Sequence, residues 1–530
     1  MIYQFVHSLY KTHVLNNAAQ DLIYNVFAVR SLERNSNIPI NKSLYSTITT
    51  SACPMITAKK VRSTLSLAAL FLCLSSVAQQ SSDSVYFTTG FKMGEVTASS
   101  VVIWTRLCSS PKPVAVYHEQ KEPPFKSPVN FDENMPTSKM EGAVEGTFGQ
   151  VKISLKTEAS TIESDWTYVS AYKDFTIKQE FTGLKSNTTY SLLIQGRKQE
   201  GSPVTAITSS FTTAPTADDI VPVLFTSSTC QYYWSFDDAV RGFKIYDSML
   251  KLNPAFHCQT GDYVYYDKPG PMATTIELAR HKWHAMNSWP SLKQFFESTP
   301  LYLQKDDHDL LKDDATPFSS PFGELTVDDG LLIWREQAPI AGSPYRTVRW
   351  GKDLQVWMVE VREFRSDNNA PDGKDKTIWG QAQIDWFKKT VEASDATFKV
   401  LVSPIPIVGP DRVQGKIDNH SNQSFQTEGE WLRQYLADQQ VLVINGDRHW
   451  QYVSVDAKTG LWEFSQGPTS DSHAQGWNQD DVKPEHKFLR VKGGFLTTQV
   501  YREADTPLIK FTHHDVHGNV VHEEVIGSRK

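Results

Sequence analysis

Residues 221–231 read VPVLFTSSTCQ. A near-continuous apolar run closing on small polar residues is the pattern of a strand buried on both faces. On its carboxyl side, Phe236, Ala239, Val240, Phe243, Tyr246, Met249 and Leu250 recur at helical spacing. Ser235 and Asp238 stand as a capping box ahead of them, which predicts a helix over 235–250. Strand-like runs follow at 255–259 (AFHCQ), 354–361 (LQVWMVEV), 398–407 (FKVLVSPIPI) and 440–446 (QVLVING). Helical segments are expected at 381–394 and 429–438. Strands alternating with helices predict an α/β domain over 219–530, with its sheet faces covered. The tail at 494–522 returns to strands, with a hairpin turn at His517-Gly518-Asn519.

Before Pro215 the rhythm is different. Residues 84–215 hold short alternating runs at 100–107 (SVVIWTRL), 164–172 (SDWTYVSAY), 174–181, 188–197 and 207–215, without a 3.6 period. This is the pattern of a β-sandwich. Leu184 followed by Thr189-Tyr190 matches the tyrosine-corner strand of a fibronectin III- or immunoglobulin-like module, expected to serve structure or substrate gating rather than chemistry.

At 530 residues the chain can hold both domains, and its 40% hydrophobic and 21% charged content is that of an ordinary globular protein. Residues 55–78 have a secretory leader's three parts: Lys59, Lys60 and Arg62, then an apolar stretch from Leu65 to Leu74, then Ser76-Val77-Ala78. That stretch is too short for a comfortable membrane span, and no later segment supplies one. The expected location is therefore secreted, periplasmic or cell-surface. Residues 1–54 show neither helical nor strand period and read as an extension from an upstream start, with Met55 the true start. Residues 1–78 carry seven Lys/Arg against two Asp/Glu, so removing this +5 from the formal −7 leaves −12. So acidic a chain repels nucleic-acid phosphates and is not expected to bind them. Cys108, Cys230 and Cys258 remain, an odd count that argues against a disulfide scaffold. A monomer is expected.

In open α/β sheets ligands collect where strands end. Four clusters stand there in order: Ser228-Thr229-Cys230-Gln231, Gly261-Asp262-Tyr263-Val264-Tyr265, Asp306-Asp307-His308-Asp309 and Gly446-Asp447-Arg448-His449. Each offers a metal ligand or a proton-transfer group. A phosphoryl group repels a nucleophile by its charge, so phosphate-ester cleavage uses adjacent cations to neutralise the oxygens and make hydroxide. Asp262 suits a carboxylate shared by two ions, and Asp307 offers hard oxygen to the second. Asp447 and His449 are further candidate ligands. His308 is expected to contact the phosphate or protonate the leaving group.

The motifs TCQ (229–231), GDYVY (261–265), DDHD (306–309), YRTVRWG with VREFR (345–365), WGQAQIDWF (379–387) and GDRH (446–449), behind SVVIWTRL, resemble the alkaline phosphatase D (PhoD-like) family. That family is a branch of the calcineurin-like metallophosphoesterases. The resemblance implies a calcineurin-like metallophosphatase core and an iron–calcium centre, with Cys230 and Tyr265 as thiolate and phenolate ligands of Fe³⁺ and Asp262 bridging to Ca²⁺. Few imidazoles and many carboxylates agree with a hard ion at one position. The chain departs from the family pattern at DDHD in place of DDHE, at VEVR (359–362) with Glu360, and at Asp418-Asn419-His420.

The expected function is hydrolysis of small-molecule or polymeric phosphate mono- or diesters by an exported enzyme. The alternatives are a phospholipase D-like phosphodiesterase or a vestigial cell-surface binding protein, and the complete ligand set argues against the last. Arg362 and Arg365 read equally as phosphate binders or as partners of acidic neighbours. His513, His514, His517 and His522 read as surface histidines, and Asp313-Asp314 as a solvated turn.

Overall fold

The computed structural model describes residues 83–121, 127–412 and 416–528; the leader and the extension expected at 1–78 lie outside them. The first eight strands are β1 (Phe91–Gly94), β2 (Ser100–Arg106), β3 (Gln150–Lys156), β4 (Thr161–Glu163), β5 (Thr167–Tyr168), β6 (Thr176–Thr182), β7 (Thr189–Arg197) and β8 (Thr205–Thr212). In β7 burial alternates, with Tyr190, Leu192 and Ile194 inward and their neighbours outward, the two-residue period of a strand with one wet face. A five-stranded sheet ordered β4-β3-β7-β8, with β5 beside β3, presents that face to β1, β2 and β6. Val101, Ile103, Phe181, Val151, Ile153 and Phe211 fill the space between the two layers. This is the expected sandwich, and the Tyr190 hydroxyl accepts the Lys185 N–H at 2.9 Å as a tyrosine corner does. The strand expected at 164–172 shrinks to Thr167–Tyr168. Tyr168 and Tyr172 lie exposed and only Val169 is buried, and Ala171–Lys173 turns instead as a 3₁₀ segment capped by Ser170.

The remaining strands are β9 (Val223–Ser228), β10 (Phe256–Thr260), β11 (Leu301–Gln304), β12 (Arg346–Trp350), β13 (Leu354–Met358), β14 (Phe398–Ser403), β15 (Val441–Asn445), β16 (Gln451–Val455), β17 (Trp462–Gln466), β18 (His486–Arg490), β19 (Phe495–Glu503), β20 (Thr506–His514) and β21 (Val520–Gly527). Nine strands join in the order β21-β20-β19-β9-β10-β11-β1-β2-β6, and seven in the order β12-β13-β14-β15-β17-β16-β18. The parallel pairing of β1 with β11, Gly94 opposite Leu301, carries the sandwich's strands straight into the larger sheet. Between the two sheets lie Phe225, Phe256 and Tyr302 from one and Val356, Val400, Ile444 and Phe464 from the other. Each such side chain contributes roughly 1.5–3 kcal/mol by leaving water.

Helices cover the outer faces. On the nine-stranded sheet lie α1 (Lys244–Leu250), α2 (Ile276–Ser288), α3 (Pro290–Phe296), α4 (Asp307–Leu310) and α5 (Val327–Gln337); on the seven-stranded sheet lie α6 (Gln381–Glu392) and α7 (Gln426–Asp438). The result is a mixed α/β core of two facing sheets with an N-terminal β-sandwich. The helix expected over 235–250 begins only at Lys244. Gly242, at φ +100°, lies against the Trp289 ring and breaks the helical path, and the Asp237 carboxylate caps the Lys244 N–H at 2.8 Å. The hairpin turn stands as expected, with Gly518 at φ +87° and the Asp515 N–H donating to the Asn519 carbonyl. His513 and His514 are not on the surface: they are buried on β20, bonded to the Ser465 carbonyl and the Thr497 hydroxyl. His517 is exposed and His522 half-buried. Among the described residues no helix is long and apolar enough to cross a membrane.

Candidate metal centre

β9, β10 and β11 are parallel to one another, as are β13, β14, β15 and β17, so their carboxyl ends deliver loops in sets. Three of the expected ligands follow those ends in left-handed backbone: Cys230 at φ 51°, Asp262 at 54° and Asp447 at 62°. A side chain in that region costs on the order of 1–3 kcal/mol, and such residues cluster at functional sites. Gly261 precedes Asp262 at φ +102°, and a Cβ there would stand 2.6 Å from the Asp306 Cβ. Only glycine lets the loops after β10 and β11 approach so closely.

The side chains converge on Asp262. The Tyr265 hydroxyl donates to its Oδ2 at 2.9 Å and the Cys230 thiol lies 3.4 Å from the same atom, while the Tyr265 hydroxyl is also 3.3 Å from His449 Nε2. Donor atoms of Cys230, Asp262 and His449 lie within 4.8 Å of one another, and so do those of Asp262, Asp307 and His308. Asp262 is common to both groups. Its Oδ1 is buried without a protein hydrogen-bond partner, as is Asp306 Oδ2. Buried carboxylate oxygens are normally satisfied, so an unpartnered one between two ligand groups fits a metal ion.

Electrostatics agrees. Burial raises the Asp262 carboxyl well above the usual range; the His308 charge opposes this, and Asp307, Asp309 and Asp447 add to it. Burial, with Asp262 and Asp447, pushes the Cys230 thiol up, and burial with Asp262 does the same to the Tyr265 phenol. Acids that raise one another in this way are relieved by a cation among them. A sulfur, a phenol, imidazoles and several carboxylates make a donor set for ions of both soft and hard character.

A third group, Asp307, Asp314 and Asp418, corrects the reading of 313–314 as a solvated turn. Asp313 is exposed, but Asp314 is half-buried and its carboxyl is raised to about 7 by burial and by Asp418. This group is matched by the chain's own donors. Lys416 Nζ lies 2.8 Å from Asp314, and Arg362 bonds Asp306 at 2.5 Å and Asp418 at 3.0 Å, with Asp307 at 3.9 Å. Arg362 is thus an internal counter-ion, fully buried. Arg448 plays the same part between Asp411 and Asp447. Arg365 is likewise buried, tied to Asn368 and the Asp418 carbonyl and packed on Phe425, while His420 pairs with Glu428. Cys108 and Cys258 are free and buried.

Three further residues, to which the sequence assigned no individual role, act here. Asp309 accepts the N–H groups of Asp262 (2.7 Å), Val264 (2.9 Å) and Asp306 (3.0 Å), locking two ligand loops together. Asp267 Oδ1 holds His308 Nδ1 at 2.6 Å, leaving Nε2 as the imidazole's outward atom, 3.7 Å from Asp313. Burial opposes the His308 charge, yet Asp267, Asp307 and Asp262 outweigh it and raise its pKa well above 6.5. His473 lies tilted against His449 with ring centroids 4.2 Å apart, and its Nδ1 meets the Cys230 carbonyl at 3.2 Å. It follows β17 on a 3₁₀ turn without a motif around it. Asp267 could have been found, since it lies two residues after Tyr265.

Two face-to-face sheets flanked by helices, with carboxylates, imidazoles and a thiol collected at their strand ends, define a metal-dependent phosphoester hydrolase. The family model described as PhoD-like phosphatase matches residues 225–521, and the chain belongs to that family. The fold is similar to a solved structure described as "Structure of PhoD", at TM-score 0.61 and 17% identity over 83% of this chain and 90% of that one. It is also similar to the purple acid phosphatase PPD1 from yellow lupin (Lupinus luteus) seeds, at TM-score 0.56 and 8% identity over 82% of this chain and 74% of that one. No curated protein matches the chain.

Proposed function

We propose that the chain is an exported phosphoesterase that releases phosphate from mono- or diesters at an iron–calcium centre. The observation that carries this reading is Asp262, shared by two ligand groups and left with one buried, unpartnered oxygen. Cys230, Tyr265 and His449 with Asp262 would hold the iron; Asp307 and Asp447, with Asp262, would hold the harder ion. Ions so held would neutralise phosphoryl oxygens and supply hydroxide near neutral pH. The chain's own residues do the rest. Arg362 and Arg448 stay buried as counter-ions to the carboxylates they pair with. Asp267 accepts from His308 Nδ1 and favours the imidazolium, whose Nε2–H is then available to protonate the leaving alkoxide. Export rests on the leader pattern at 55–78.

The deciding experiment assays the purified protein on nitrophenyl phosphate, bis-nitrophenyl phosphate and a phospholipid, together with its metal content. Iron and calcium in the protein, a visible tyrosinate-to-iron absorption and loss of activity on calcium chelation are expected. A colourless zinc or magnesium enzyme of full activity would overturn the metal assignment, and head-group release from phospholipid alone would overturn the general phosphoesterase reading.

A further inference from the structure

The loop that carries Asp267 runs through Lys268-Pro269-Gly270-Pro271-Met272 before α2 and pairs with no strand. Side chains hold its backbone groups instead. The Lys268 carbonyl accepts Lys282 Nζ, the Pro269 carbonyl accepts the Tyr232 hydroxyl and the Gly270 carbonyl accepts Trp234 Nε1, each at 2.7 Å. Its amides go elsewhere: Gly270 N–H and Met272 N–H donate to the two carboxylate oxygens of Glu133, at 3.0 and 2.6 Å. Glu133 lies between β2 and β3, in the N-terminal region and outside the residues matched by the family model. Its neighbour Pro128 closes on the same point, since a Cβ on Gly270 would stand 2.7 Å from Pro128 Cγ and 2.3 Å from Trp234 Nε1. Phe131 packs edge-on against Trp234 at 6.1 Å. The N-terminal segment 127–133 is therefore clamped onto the loop that orients His308.

We infer that Glu133 is a positioning residue for His308, acting through the amides of Gly270 and Met272 and then the Asp267 carboxylate. A carboxylate taking two backbone N–H groups makes a charge-assisted pair, stronger and more directional than neutral bonds. Losing it frees the amides of Gly270 and Met272, through which Glu133 holds the segment. Asp267 then drifts, and with it the direction of His308 Nε2. Displacements of about 1 Å in such a group can cost up to ~10²-fold in rate. The N-terminal module thereby becomes part of the catalytic apparatus rather than a passive neighbour.

This inference rests on the reading of His308 as the leaving-group acid, so the test separates the two. Glu133→Ala and Glu133→Gln are compared with wild type on an alkyl phosphate and on nitrophenyl phosphate, alone and in a His308→Ala background. Glu133 is exposed and touches no ligand residue, so both variants are expected to fold and keep their metal. For Glu133→Ala, kcat on the alkyl ester should fall roughly tenfold or more, KM and metal content should hold, and the nitrophenyl ester should be less affected. Glu133→Gln, which keeps one accepting oxygen, should recover part of the loss. With His308 already removed, the substitution should have almost no further effect. An undiminished effect in the His308→Ala background, or a fall traced to lost metal, overturns the inference. If His308→Ala itself slows both esters equally, the acid role fails, yet non-additivity with Glu133 would still establish the positioning link.

Discussion

Asp262 does two things at once: its Oδ2 gathers Tyr265 and Cys230 while its Oδ1 stays unpartnered. Asp262→Ala should therefore lose bound metal and activity together, measured by elemental analysis beside the rate. His308→Ala should keep its metal while kcat falls by about 10²–10⁴, less for a nitrophenolate leaving group that hardly needs a proton. Loss of an ion from that variant would make His308 a ligand, a reading its closeness to Asp262 and Asp307 keeps in play. Asp309 supports both from behind. Asp309→Ala strands three buried N–H donors, at about 1–3 kcal/mol each, and should weaken metal affinity roughly 10–100-fold in a chelator competition. Cys230, Asp262, Asp307 and His449, which the structure draws into shared donor groups, were legible as motifs in chain order. Asp314, Asp418 and His473 were not, because they reach the site from loops whose course no local pattern records.

The elements that carry these residues are strand-to-loop turns with little room. Gly261→Ala would place a methyl against Asp306 in a backbone region that alanine resists. A stability loss on the order of 1–3 kcal/mol is expected, with metal binding lost at the same time, as thermal unfolding with and without added metal would show. Unchanged unfolding in both conditions would mean that the loop has slack the geometry does not show. At this scale the sequence read well where an apolar run carries the strand, as at β14 and β15, whose buried residues are apolar up to Ser403 and Asn445. It read poorly where buried faces are polar. Helix α2 buries His281, Lys282, His284 and Asn287 beside Trp283, so no apolar stripe announces it. The helix expected from 235 failed on a single glycine turn that periodicity averages away.

Across the whole molecule, the sandwich and the α/β core are joined by charge as well as by sheet. Asp174, buried between β5 and β6, bonds His284 on α2 at 2.5 Å, Gln337 on α5 at 2.7 Å and Arg106 on β2 at 3.2 Å. Burial opposes its charge, but His284 and Arg106 prevail and hold its carboxyl below the usual carboxylate range. A depressed folded-state value means stability present above the unfolded value of about 3.9 and lost as pH falls below it. Asp174→Asn should cost about 3–5 kcal/mol at neutral pH and flatten the decline in stability between about pH 4 and 2, read from denaturant midpoints across that range. An undiminished acid slope would place the titrating groups elsewhere. The pairing of β1 with β11 was beyond the sequence, because a strand's partner across two hundred residues leaves no local trace. The same is true of β9, which lies between β10 and β19, with Ser227 opposite Leu496. That pairing sets an order of assembly. A chain emerging from its N-terminus has this inner strand of its largest sheet half-paired until β19 has been made, a non-local topology that folds slowly. Cys230 leaves that strand two residues beyond its end, so the carboxyl-terminal hairpin is the seam whose closing finishes the site begun some 270 residues earlier.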